Sequence, residues 1–244
     1  MSPLLALLTA AALLILPRFL LPRPRGPAAE IHGLLWVLWG INAFYCAFWH
    51  RLIVFNQAPL PEVGPALLIS NHTCAIDHMI LQAGCRRKLG FLIAQEFYNL
   101  PYCRPFARLL GCIPVRRDGK DVAATRAALR ALAEGRVVPI FPEGRITPRS
   151  GREFSPPKPG AAFIALHARV PVIPAYIRGT PETNDVVQSL LWPSDARLLF
   201  GPPIDLSDIP CQKAYSKETV AAVTERLMDA IRSLREPSLR AEQG

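Results

Sequence analysis

The sequence lacks several patterns that define common functional classes. Its six cysteines include no C-x-x-C pair, and no His and Cys residues stand at the spacing of a zinc site. No G-x-S-x-G elbow of a serine hydrolase is present. Although the net charge is +9, the basic residues form no long block and do not alternate with aromatics. These absences argue against a zinc module, a serine hydrolase and a nucleic-acid-binding protein.

Charge is also missing from two apolar stretches near the N-terminus, residues 3–16 and 33–49. Each is shorter than the roughly 20 residues that span a bilayer. A signal peptide would have Lys or Arg before its apolar run, and none precedes the first stretch. The second stretch contains the amphipathic aromatics Trp36, Trp39, Tyr45 and Trp49. Arginines that could meet anionic lipid flank the stretches: Arg18, Arg23, Arg25 and Arg51. We therefore predict that residues 1–55 form a two-helix membrane segment that dips into the cytoplasmic face of the cell membrane.

Beyond residue 63, short apolar runs alternate with helical periodicity. Strands are predicted over 65–70, 90–95, 112–116, 137–141, 170–177 and 196–201. Helices are predicted over 121–135, 159–169 and 216–236. The two prolines of VPVIPAY favour an edge or irregular strand. The alternation predicts an α/β domain over 56–236, with a mainly parallel or mixed central sheet covered by helices, and a flexible tail over 237–244.

Polar residues follow three of these strands, and the stretch NHTCAID follows the first. If a helix begins at Thr73 or Cys74, Asp77 lies about one turn inside it and reaches back to one imidazole nitrogen of His72. The other nitrogen is then left to accept a proton, as in a general base. The same residues also suit an ordinary helix start with Asn71 or Thr73 as the cap.

Two further clusters supply candidate ligands for an anionic substrate. GCIPVRR delivers Arg116 and Arg117 to a strand end, where only one of two adjacent residues can face a given site. FPEGR supplies Glu143, Gly144 and Arg145 after another strand. Guanidinium groups bind phosphate oxygens in a bidentate way. Each cluster alone is typical of a solvated turn, but together they place a base, a carboxylate and phosphate ligands on one sheet.

In this order, H-x-x-x-x-D, G-C-I-P-V-R-R, F-P-E-G-R and V-P-V-I-P resemble the four motifs of the glycerophospholipid acyltransferases. The resemblance implies transfer of a fatty acyl group from acyl-CoA or acyl carrier protein to the hydroxyl of a membrane lysophospholipid, with 1-acylglycerol-3-phosphate as the expected acceptor. It implies His72 as general base, oriented by Asp77. The implied ligands of the glycerol-phosphate are Arg116, Arg117, Glu143, Gly144 and Arg145. Val172 and Pro174 are implied on the acyl or thioester side. No metal or other cofactor is implied, because the thioester is already activated.

One departure from the family pattern widens the choice of acceptor. The common third motif is F-P-E-G-T-R, whereas Arg145 comes one position early here. That form resembles enzymes that reacylate lysophosphatidylethanolamine, which is the alternative acceptor. A thiol mechanism through Cys74 is a chemical alternative. A non-enzymatic membrane adaptor would account for the apolar N-terminus, but not for the polar residues at three strand ends.

Overall fold

The computed structural model describes residues 31–101, 103–116 and 122–241. A mixed five-stranded sheet has the order β1-β7-β6-β2-β5. Its strands are β1 (Ile53–Val54), β2 (Ala66–Ser70), β5 (Val137–Ile140), β6 (Val172–Arg178) and β7 (Arg197–Phe200). Only β6 and β7 pair antiparallel within this sheet. A second, parallel sheet pairs β3 (Leu92–Ala94) with β4 (Ile113–Val115). The predicted mixed α/β sheet is confirmed, and each predicted strand overlaps one of these elements.

Helices cover both faces of the main sheet. They are α1 (Leu34–Trp49), α2 (Asp77–Gly84), α3 (Gln95–Tyr98), α4 (Arg104–Leu110), α5 (Val122–Ala133), α6 (Gly160–Ala168), α7 (Val186–Leu191), α8 (Lys217–Arg232) and α9 (Arg235–Arg240). The central strand β2 is buried on both faces, since Leu67 and Ile69 pack into one core cluster and Leu68 into another. This double burial explains why β2 is a continuous apolar run.

The long helix α8 forms where its sequence pattern predicts. Ser216 is its N-cap and accepts the N–H of Thr219 at 3.1 Å, which satisfies one of the free donors of the first turn. The buried side chains recur at helical spacing: Val223, Leu227, Met228 and Ile231. Through this face α8 packs with α5 and α6 on one side of the sheet.

The strand β6 lies in the interior of the sheet, between β2 and β7, so the prediction of an edge or irregular strand is wrong. Pro174 is tolerated because the antiparallel pairing with β7 begins only at Ala175. Beyond the end of β7, the Pro174 carbonyl accepts the N–H of Gly201 at 2.8 Å. The missing N–H of proline therefore falls outside the ladder that β6 forms with β7.

The structure does not divide the chain at residue 55. The strand β1 pairs in parallel with β7, so residues 53–54 belong to the main sheet. Helix α1 is bonded to α2, because Trp39 Nε1 donates to the Gln82 carbonyl at 3.1 Å and Asn42 Nδ2 to the Met79 carbonyl at 2.9 Å. Residues 237–240, predicted to belong to a flexible tail, are helical.

The predicted membrane segment is described only in its second half. Residues 3–16 lie outside the described part of the chain. Among the residues described, no helix has both the length and the apolar character needed to cross a bilayer.

Candidate active site

The carboxyl ends of three parallel strands meet at one edge of the sheet, where ligand sites of α/β folds gather. His72 follows β2, Phe141 and Glu143 follow β5, and Thr180 follows β6. The parallel register places Ile69 beside Ile140, so the first two segments leave the sheet side by side. This edge therefore contains the residues that carry the predicted chemistry.

His72 and Asp77 form a bonded pair at this edge. His72 Nδ1 lies 2.7 Å from Asp77 Oδ2, and the aspartate side chain is fully buried. The same Oδ2 accepts the N–H of Thr73 at 2.5 Å and of Cys74 at 3.1 Å, while the Thr73 hydroxyl donates to Oδ1 at 2.5 Å. These donors fix the carboxylate beneath the imidazole. The helix begins at Asp77 itself, and not at Thr73 or Cys74 as predicted.

The imidazole of His72 is held on a second side by Phe141. The two rings are stacked, with their centroids 4.1 Å apart and their planes 10° apart. A carboxylate beside Nδ1 favours the neutral tautomer with its proton on Nδ1, and that tautomer has a lone pair on Nε2. Among the described residues, no group bonds to Nε2, and the His72 side chain is 18% exposed. This nitrogen can therefore accept a proton from a molecule that enters from solvent.

Glu143 supports the backbone around this histidine. Its Oε1 accepts the N–H of His72 at 2.8 Å, and its Oε2 accepts the N–H of Ser155 at 2.7 Å. Only 2% of Glu143 is exposed, and burial raises the pKa of its carboxyl while the two amide donors oppose the rise. Both oxygens are thus occupied by the protein. The structure thus lets Glu143 position the backbone of His72, and its contact with substrate stays a prediction.

The turn after Glu143 presents two cations to solvent. Gly144 has φ +69°, and a Cβ there would lie only 2.8 Å from Cδ and 3.1 Å from Nζ of Lys158. Glycine therefore allows the left-handed backbone at this position and leaves space for the Lys158 side chain, which lies against the turn. The Lys158 N–H donates to the Pro142 carbonyl at 2.8 Å, which fixes the two segments together. Arg145 is exposed on the same turn.

Lys158 was missed at the sequence level. It lies in PPKPG, a proline-rich approach to a helix that resembles an ordinary loop. Its closeness to Gly144 arises from backbone bonds between segments that are distant in sequence. The glycine of F-P-E-G was a partial signal, because it marks a position where another chain comes close.

The remaining predicted ligands stand on other elements or outside the described residues. Arg116 is exposed just after β4, in the smaller sheet, and Arg117 lies outside the described residues. Val172 and Pro174 are buried within β6, where they pair with Leu67 and Ile69 of β2. These two residues shape the sheet beneath the site, and neither presents an open surface to an acyl chain.

Comparison with known proteins defines the family. A family model described as Acyltransferase matches residues 51–178, a range that contains His72, Asp77 and the F-P-E-G turn. The chain belongs to the acyltransferase family. The sequence-based identification of the family, and of the chain as an acyltransferase enzyme, is confirmed.

Relatives of this acyltransferase carry names from lipid metabolism. It is 26% identical over 182 residues to 1-acyl-sn-glycerol-3-phosphate acyltransferase of Bacillus subtilis, covering 74% of this chain and 86% of the relative. It is 29% identical over 188 residues to lyso-ornithine lipid O-acyltransferase of Rhodobacter capsulatus, covering 68% and 66%. The crystal structure of the 1-acyl-sn-glycerophosphate acyltransferase PlsC from Thermotoga maritima matches with a TM-score of 0.65 at 22% identity, covering 95% of this chain and 92% of that one. The structural match supports the α/β fold.

The acyltransferase site is also tied together by two residues whose roles the sequence did not reveal. Asn71 bridges strand ends, since its Nδ2 donates to the Ile177 carbonyl and its Oδ1 accepts the Ile177 N–H, both at 2.8 Å. The alternative role of Asn71 as a helix cap is therefore wrong. Thr180 donates to the Thr73 hydroxyl at 2.7 Å, and this hydroxyl in turn donates to Asp77. These bonds brace the end of β2 against the end of β6 at this edge of the sheet.

The geometry disfavours a thiol mechanism for this acyltransferase. Cys74 is fully buried, and burial raises the pKa of its thiol to about 12. The nearby carboxylate of Asp77 adds to that rise. A buried thiol with such a pKa is protonated at neutral pH, and the protonated form is a poor nucleophile.

Proposed function

We propose that this acyltransferase moves a fatty acyl group from a thioester to the free hydroxyl of 1-acylglycerol-3-phosphate, giving phosphatidate. The observation that carries the proposal is the His72–Asp77 pair, bonded at 2.7 Å through Nδ1, with Nε2 bonded to no group of the described residues. The donor is acyl-CoA or acyl carrier protein. The activity for which the Bacillus subtilis relative is named supports the choice of acceptor.

In the proposed reaction, Nε2 of His72 removes the proton of the acceptor hydroxyl as its oxygen attacks the thioester carbonyl. The new C–O bond forms, the C–S bond breaks, and the imidazolium returns its proton to the departing thiolate. General-base help of this kind is worth about 10²–10⁴-fold in rate. Asp77 stabilises the imidazolium and keeps the proton on Nδ1, so that Nε2 remains the basic nitrogen.

Positioning is the second contribution of the protein. Asp77 fixes the imidazole from below, Phe141 fixes its plane, and Glu143 fixes the backbone of His72. Holding a base within hydrogen-bond reach of the attacking hydroxyl turns a bimolecular encounter into an oriented one. A small displacement of any of these three supports is therefore expected to lower kcat more than it raises KM.

The electrostatics of the F-P-E-G turn favour a phosphate monoester as the acceptor headgroup. Arg145 and Lys158 are exposed cations on this turn, and Arg116 is a further cation at the end of β4. Each Glu143 oxygen already accepts one backbone amide and only 2% of the residue is exposed, so this carboxylate offers little surface to an ethanolamine ammonium group. This favours 1-acylglycerol-3-phosphate over lysophosphatidylethanolamine, the alternative suggested by the early position of Arg145.

An acceptor panel tests the proposal. Purified protein is supplied with radiolabelled acyl-CoA or acyl carrier protein and with lysophosphatidate, lysophosphatidylethanolamine or glycerol-3-phosphate. We expect labelled phosphatidate from lysophosphatidate and loss of product in His72→Ala. Transfer to lysophosphatidylethanolamine alone would overturn the choice of acceptor. If neither donor transfers its acyl group to any of the three acceptors, the result would support the membrane adaptor instead.

We further propose that the enzyme acts at the cytoplasmic face of the cell membrane. Acyl-CoA and acyl carrier protein are water-soluble donors, whereas the lysophospholipid resides in the bilayer. The catalytic edge must therefore face both phases. Separation of cytosol and inverted membrane vesicles, followed by protease treatment of the vesicles, would place the domain on one side.

A further inference from the structure

Helices α1 and α7 carry large apolar side chains that no described residue covers. We call Phe44, Phe48, Val187, Leu191 and Trp192 the α1–α7 surface. Phe48 is 70% exposed, Leu191 63% and Val187 60%. Phe44 and Phe48 stack on each other, with ring centroids 5.7 Å apart, so they form a continuous aromatic ridge. Clusters of exposed apolar residues of this kind mark interaction sites.

The two helices are joined by a polar connection, of which His50 and Ser194 form the buried part. The Tyr45 hydroxyl of α1 donates to the Leu190 carbonyl of α7 at 2.5 Å. His50, just after α1, bridges Tyr45 and Ser194, with its Nε2 3.0 Å from the tyrosine oxygen and its Nδ1 2.8 Å from the serine oxygen. The His50 carbonyl accepts the N–H of Ala196 at 2.9 Å. The connection fixes α7 beside the C-terminal end of α1.

We propose that α7 is a second membrane-docking element, which enters the lipid interface beside α1. This rests on the proposed function, because an acceptor lodged in a bilayer requires the enzyme to lie against lipid. Neither helix contains a charged residue, whereas Asp185 is used as the N-cap of α7 and accepts the Gln188 N–H at 2.8 Å. Short helices with apolar outer faces and aromatic residues bind in the headgroup region.

Charge at the border of the α1–α7 surface also fits a lipid occupant. Asp195, the acid that follows α7, is paired with Arg51 through two bonds of 2.7 and 2.9 Å. This pairing lowers the repulsion that an unpaired carboxylate would meet at an anionic membrane. The chain as a whole carries a net charge of +9, and Trp192 and Trp49 are the aromatic type enriched at membrane interfaces.

A matched pair of substitutions tests the proposal. Val187→Glu places a carboxylate in the α1–α7 surface. Val63→Glu places the same group on a side chain that is 63% exposed, against 60% for Val187, in the loop that enters β2 from the end opposite His72. The full chain is sedimented with vesicles of phosphatidylcholine and phosphatidylglycerol in equal parts. We expect Val187→Glu to weaken partitioning about tenfold or more, and Val63→Glu to leave it unchanged.

Other occupants of the surface give different results, and each would overturn the proposal. If residues 3–16 cover α7, Val187→Glu lowers Tm and leaves vesicle binding intact. If a second copy covers it, Val187→Glu removes a dimer that light scattering detects without lipid. Equal partitioning of Val187→Glu and the unchanged chain, with equal Tm, excludes any docking through α7.

A depth measurement supplies a readout that does not depend on stability. Lipids brominated near the headgroup quench tryptophans that enter the interface. We expect Trp192→Phe to reduce the quenched fraction of the fluorescence, and an unchanged fraction would contradict the proposal. Acyl transfer to an acceptor dispersed in detergent tests the proposed function without a membrane. Its absence would count against the proposed function, while vesicle binding through α7 could still be observed. Val187→Glu is expected to keep full activity in detergent.

Discussion

Asp77→Asn is the substitution that examines the proposed base most directly. Asp77 Oδ2 lies 2.7 Å from His72 Nδ1 and accepts the Thr73 and Cys74 amides at 2.5 and 3.1 Å. An asparagine oxygen in the same position keeps these three bonds. Its amide nitrogen can donate to the Thr73 hydroxyl, which lies 2.5 Å from Oδ1. The substitution therefore removes the negative charge while it leaves the tautomer and the geometry of His72 in place.

The size of the effect follows from the charge that develops on His72. When Nε2 accepts the acceptor's proton, the imidazole becomes a cation next to Asp77. Two unit charges about 4 Å apart attract by about 4 kcal/mol at an effective dielectric constant near 20. A neutral hydrogen bond replaces part of this stabilisation, so a net loss of about 2–4 kcal/mol is expected. That loss corresponds to a fall in kcat of about 30- to 1000-fold.

The assay measures initial rates of phosphatidate formation at saturating donor and acceptor. We expect kcat to fall as stated and KM to change less than about threefold, because the lost charge acts mainly in the transition state. In a His72→Ala background, Asp77→Asn is expected to have no further effect on the residual rate. Thermal unfolding, followed by circular dichroism, shows whether the variant is folded.

Two results would refute the reasoning. A kcat within about threefold of the unchanged enzyme would show that the Asp77 charge is not used in the transition state. An equal fall in rate in both backgrounds would show that Asp77 acts on the fold, independently of His72.

Three further predictions concern the groups around this pair. Glu143→Gln leaves one of two amides facing an NH₂ group, so we expect a loss of about 1–3 kcal/mol in the free energy of unfolding and a lower kcat, measured by urea denaturation and initial rates; unchanged values would contradict its positioning role. Gly144→Ala and Lys158→Met should each raise KM for lysophosphatidate more than for lysophosphatidylethanolamine, and equal changes would exclude a phosphate contact. Cys74, whose thiol pKa is raised to about 12, should resist iodoacetamide at pH values where exposed Cys211 reacts, and Cys74→Ser should keep most activity; an acylated Cys74 found by mass spectrometry would revive the thiol mechanism.

The strands were predictable because burial on both faces leaves a local signature. β2 and β6 are almost wholly buried, and this requires unbroken runs of apolar residues that are visible without a structure. The His72–Asp77 contact was also predictable, since it joins residues five positions apart. In both cases the determining interactions lie within one short segment of the chain.

The errors arose where distant segments decide the outcome. The backbone bonds of Glu143 were not predictable, because its partners, the amides of His72 and Ser155, are separated from it in sequence. The interior position of Pro174 depends on where β7 ends. The start of α2 shifted to Asp77 because this carboxylate, and not Asn71 or Thr73, receives the amides that precede the helix.

Glu143 also has a consequence for how acceptor preference can change. The carboxylate accepts the N–H of His72 and the N–H of Ser155, so it fixes the two ends of the segment 144–154 close to each other. The segment contains Arg145, yet its two ends are fixed relative to the base. Lengthening a closed surface excursion costs little, since loop entropy grows only slowly with length. For the proposed reaction, the exposed positions of this segment, Arg145 among them, can thus be varied for a new headgroup while Glu143 keeps His72 aligned. Ser150, which is buried, and Phe154, which packs against the core, would be retained.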